Sequence, residues 1–131
     1  MLLASGVCAQ AGTVTVQVTH IDVMKGGKVK IGIYDAHGFP IVGKEIYGID
    51  LEVKELSVTH VFKSIPVGRY AVAVFQDENN DGILNKNLFG FPKELYGFST
   101  NKYGMFGPPD YLDVSFEVKE NTPVLLMINL K

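Results

Sequence analysis

Apolar and polar residues alternate along much of the chain. Val14, Val16 and Val18 stand between Thr13, Thr15, Gln17 and Thr19, and Val29, Ile31 and Ile33 stand beside Lys28, Lys30 and Gly32. Residues two apart share one face of a strand, so each run predicts a half-buried strand, with Gly26-Gly27 as the turn between them. The stretch Phe39–Gly48, with Pro40 and Gly43, reads as a loop, and Leu51–Leu56 as a short edge strand. Ser57–Ser64 is a further strand, with Val58, His60 and Phe62 on one side, stopping at the turn Ile65-Pro66-Val67-Gly68. Arg69–Gln76 is apolar on both faces, Tyr70, Val72 and Val74 opposite Ala71, Ala73 and Phe75, which marks a central strand. Tyr111–Val118 and Pro123–Leu130 read as two closing strands.

No stretch carries a helical period. Short strands separated by turn signals every ten or so residues predict an all-β fold. The expected architecture is an antiparallel β-sandwich of about seven strands, transthyretin-like or immunoglobulin-like, with one long Gly/Pro/aromatic loop. Val14, Val16, Val18, Val29, Ile31 and Ile33 should share a core with Val72 and Val74. Tyr70, soon after Pro66-Val67-Gly68, sits as a corner tyrosine does and should be buried with its hydroxyl paired.

Composition narrows the function. The chain has 131 residues and a formal charge of −2 from 12 basic and 14 acidic residues, enough for one domain and without a basic stripe for nucleic acid. No run is long and apolar enough to span a bilayer. One cysteine, Cys8, excludes an internal disulfide. Residues 1–11, Met1 to Ala11, are uncharged and apolar and end in Ala9-Gln10-Ala11, the small-x-small pattern of a signal-peptidase site. They read as the remnant of a secretory signal ahead of a single domain over 12–131, and place the protein in the periplasm, at the cell surface or outside the cell. A lipoprotein would instead acylate Cys8, but Ser5-Gly6-Val7 lacks the usual residues before it.

The sharpest motif is Asp77-Glu78-Asn79-Asn80-Asp81-Gly82-Ile83-Leu84-Asn85. Oxygen-bearing side chains at Asp77, Asn79 and Asp81, a glycine, the Ile83 carbonyl and Asn85 follow the spacing of the first half of an EF-hand loop, which aims oxygens at one hard cation. Leu88 stands where that loop has its bidentate Glu, and the flanks are strands. Glu94 is the nearest acid after the turn. It could complete a Ca2+ site or accept backbone amides of the loop. Two readings fit: a weak calcium site, with a dissociation constant on the order of 10⁻⁴ M, or a plain hairpin turn in which Asp81-Gly82 takes left-handed angles.

The run Pro66-x-Gly68-x-Tyr70, Asp77-Glu78-Asn79, Gly82, Leu84, Asn87, Gly90, Pro92, Glu94, Tyr96-Gly97-Phe98-Ser99 and Gly107-Pro108-Pro109 resembles a bacterial secreted family, domain of unknown function 2141. The combination covers most of the chain and is densest from Pro66 to Phe116. The resemblance implies a β-sandwich and a signal peptide, and no established activity. Where the family tends to have Asn-x-Asn-Gly this chain has Asn79-Asn80-Asp81-Gly82, and Thr100 stands where Asn is usual.

Between Leu88 and Asp110 lie Phe89, Phe91, Tyr96, Phe98, Tyr103 and Phe106. A segment of this length without periodicity is often functional. Either the aromatics fold inward and close one end of the sandwich, or they form a flat platform for a sugar or a partner chain. His20, His37 and His60 are scattered, and Ser99 has no His or Asp at motif spacing, so no catalytic residue is assigned. The expected protein is an exported, non-enzymatic module that binds an unknown protein or glycan. The rivals are a carbohydrate-binding or adhesive module using the aromatic loop, and a small hydrolase. Two or more aromatics exposed together beside the turn would mark the first, and a deep polar pocket gathering acids or His from separate strands the second.

Overall fold

A computed structural model describes residues 10–81, 94–104 and 108–131. Cys8, Ile83, Asn85, Phe89, Phe91 and Phe106 lie outside the described residues. The described chain forms β1 (Ala11–Thr19), β2 (Lys28–Tyr34), β3 (Tyr47–Glu52), β4 (Val58–Pro66), β5 (Gly68–Asp77), β6 (Tyr96–Phe98), a single helical turn α1 (Tyr111–Val114), β7 (Phe116–Val118) and β8 (Val124–Asn129).

Two sheets result. One has the order β4-β1-β8. The other has the order β3-β2-β5-β6, with β7 also paired to β5. The alternating runs do what their spacing predicts. Val14, Val16, Val18, Val29, Ile31, Ile33, Val72 and Val74 are buried in one core between the sheets, with Ile65, Leu126 and Ile128. Tyr70 is 8% exposed, and its hydroxyl donates to the Pro66 carbonyl at 2.7 Å. Ala71 turns to the other face of β5, where Phe98 and Val114 bury it in a second cluster. Because it is covered on both faces, β5 can be apolar throughout.

Several boundaries differ from the sequence expectation. Strand β3 begins at Tyr47, inside the expected loop. Tyr47, Ile49 and Leu51 alternate with Gly48, Asp50 and Glu52, a period that Gly48 hides from a count of strand formers. Past Glu52 the chain crosses between sheets rather than continuing as an edge strand. The Val53 amide donates to Gly27, and the Leu56 carbonyl accepts from Ile21. Strand β4 runs through Ile65 and Pro66 with one extra residue, where Ser64 takes a φ of 60° and the register to β1 shifts. The expected strand from Tyr111 is a helical turn up to Val114, which aims Val114 at Ala71 and Phe98, and only Phe116–Val118 is extended. The segment after Leu88 contributes β6. Among the described strands one pairing is parallel, β1 with β8. The amphipathic period is the same for either direction, so it carries no signal for this.

Candidate functional site

Gln76, fully buried near the end of β5, organises the loop beside the acidic turn. Its Oε1 accepts the Asp22 amide at 2.9 Å, and its Nε2 donates to the carbonyls of Asp22 at 2.7 Å and Gly26 at 2.8 Å. Those bonds bring loop 20–27 against Asp77. Gly27, at φ 82°, packs so closely there that a Cβ would sit 2.0 Å from the Asp77 carbonyl oxygen. Lys25 reaches Glu78 at 3.8 Å. Gln76 was not a candidate in the sequence. Its signal was a lone polar residue ending a doubly apolar strand.

The turn itself begins on buried carboxylates. Asp77 is 2% exposed and Glu94 5%. Glu94 Oε2 accepts the Glu78 amide at 2.8 Å, so of its two expected roles the structure shows the one toward the backbone of the turn. Asp77 Oδ1 and Asn79 Oδ1 both accept the Asp81 amide, at 3.2 and 3.3 Å, so these two oxygens converge on one point. Asn80 takes a left-handed φ of 57°, which asparagine tolerates. Asn79 and Asp81 are exposed. Among the described residues no three His, Cys, Asp or Glu gather as a metal-holding group.

The described aromatics of the long segment pack on one another. Phe98 is buried, and Tyr96 and Tyr103 are half-buried. Tyr96 meets Tyr103 edge-on at 5.1 Å between ring centroids, and Phe98 meets Phe39 at 5.7 Å. Phe39 in turn touches Tyr111 and Tyr34. The Tyr103 hydroxyl lies 3.0 Å from the carbonyls of both Tyr96 and Asn129, and Lys131 Nζ stands 5.0 Å from its ring centroid. Burial pushes the Tyr103 phenol up to about 12, with Tyr96 adding to the shift. Burial first, and then the Glu45 carboxylate, push Tyr34 up to about 12 as well.

Ser99 is committed to structure. Its Oγ accepts the Val72 amide at 3.0 Å and donates to the Val114 carbonyl. Thr100 reaches the same turn, donating to the Asp113 carbonyl at 2.9 Å. His20 follows β1, His37 follows β2, and His60 lies on β4 with its ring against Phe62. A cavity of about 450 Å³ is lined by Lys102, Tyr103, Pro109, Asp110 and Asp113, and its acids come from one turn rather than from separate strands. Among the described residues no helix is long and apolar enough to cross a membrane.

The family model for an uncharacterized protein conserved in bacteria (DUF2141) matches residues 10–124. No curated protein and no solved structure matches the chain.

Proposed function

The chain belongs to the DUF2141 family, and on that premise we propose that it is an exported, non-enzymatic β-sandwich that acts by binding, with a calcium-stabilised acidic turn. The alternate spacing of Asp77, Asn79 and Asp81 carries this reading, together with the proximity of Asp77 Oδ1 and Asn79 Oδ1, which share the Asp81 amide as donor. Alternate oxygens directed at one point are what a hard cation needs. The Ile83 carbonyl and Asn85 would supply further oxygens. Export supplies the setting, since millimolar calcium suits a site of the weak extracellular kind.

The commitment of Ser99 to backbone bonds and the scatter of the three histidines favour binding over hydrolysis. The edge-to-face packing of Tyr96, Phe98 and Tyr103 favours the closing role of the aromatic segment over a sugar platform.

Isothermal calorimetry with calcium tests the proposal. The intact chain should give a saturable heat, which Asn79→Ala with Asp81→Ala removes while the fold is kept, both residues being exposed. In thermal melts, calcium at a hundredfold its dissociation constant should stabilise by about 2.7 kcal/mol over chelator. Equal melting temperatures and no heat would leave the turn as a plain hairpin connection.

A further inference from the structure

We infer that the β3 and β4 edges form a two-fold interface with a second copy of this chain. On one side the sandwich is closed. Tyr96 and Lys131 exchange backbone hydrogen bonds, and Asn101 bonds the backbone of Met127 and Asn129 along β8. On the other side each sheet ends in a strand with one described strand neighbour, β3 beside β2 and β4 beside β1. Exposed strand edges of this kind pair with other chains unless they are blunted.

Three features select a second copy as the occupant. The first is direction. The short link 53–57 joins β3 to β4 and reverses the chain, so the two edges run opposite ways. A two-fold axis parallel to the strands then lays β3 of each copy antiparallel to β4 of the other, and each layer becomes continuous across the pair. The second is the inner face. Tyr47, Ile49, Leu51 and Val58 are half-buried against the core and sit at the open side, where a facing copy covers what remains exposed. The third is charge. On the outer face of β3, Asp50 lies 2.8 Å from Lys30, with Glu52 two residues on, while β4 carries Lys63. A β3–β3 pairing would set Asp50 and Glu52 against their own copies, and like charges across a ladder destabilise it. Pairing β3 with β4 instead places the acids near Lys63 of the partner subunit.

The test uses the full chain with Cys8→Ser. Sedimentation should show a concentration-dependent dimer. Asp50→Cys is then mixed in turn with Thr59→Cys, Val61→Cys and Lys63→Cys, the outward positions of β4, of which one stands opposite residue 50 in any register that overlaps them. One mixture should cross-link under mild oxidation faster than either of its proteins alone. Lys63 is exposed, so Lys63→Glu leaves the melting temperature unchanged at dilutions where the chain is monomeric; it should weaken the dimer about tenfold, the two-fold axis doubling the effect of one cross-strand charge pair. A monomer at every concentration overturns the inference. So does a dimer in which Asp50→Cys cross-links to itself, or one that Lys63→Glu does not weaken. None of these outcomes depends on calcium.

Discussion

At the scale of the residue, a few polar groups fix the described part of the candidate site. Gln76 satisfies three backbone groups of loop 20–27 from a fully buried position. Gln76→Leu keeps the volume but strands those groups, so it should cost about 3 kcal/mol or more in urea unfolding, since each orphaned group costs on the order of 1–3 kcal/mol. Tyr70→Phe removes one neutral hydrogen bond to Pro66 and should cost only about 1 kcal/mol. The tyrosines also set an alkaline limit. Burial raises Tyr34 and Tyr103 to about 12 in the fold, against the ordinary tyrosine value of about 10 that the unfolded chain takes. The unfolded state therefore loses its protons first. The stabilisation from this pair is complete below pH 10 and is lost as pH rises through about 12. Urea midpoints measured across that range should fall, and should fall less steeply in Tyr34→Phe.

At the scale of the element, a strand's edge matters as much as its faces. Asn101, at φ 59°, places its side chain along β8 as a neighbouring strand would. Asn101→Gly keeps the left-handed backbone and removes the bonds. Hydrogen exchange at the Asn129 amide should accelerate, with a loss of stability of about 1–2 kcal/mol. The helical turn α1 shows why strand composition misleads here. Tyr111 and Val114 are strand formers, yet only Val114 of α1 is buried, and Ser99 and Thr100 bond the carbonyls of Val114 and Asp113 at its end. Contacts from a distant segment outweigh a weak local preference.

At the scale of the whole molecule, the sequence by itself determined the class and the core. Period-two alternation leaves one apolar face on β1 and β2, a doubly apolar run demands cover on both sides of β5, and Gly26-Gly27 permits the turn between β1 and β2. These are local consequences of strand geometry and backbone sterics, so they can be read without knowing what lies next to what. The acidic turn was legible as an oxygen pattern for the same reason. Tertiary structure alone decided that β8 runs parallel to β1, that Glu94 returns to the Glu78 amide and that Gln76 holds loop 20–27. Each depends on a partner far away in the chain, and side-chain spacing along one strand contains no information about its neighbour.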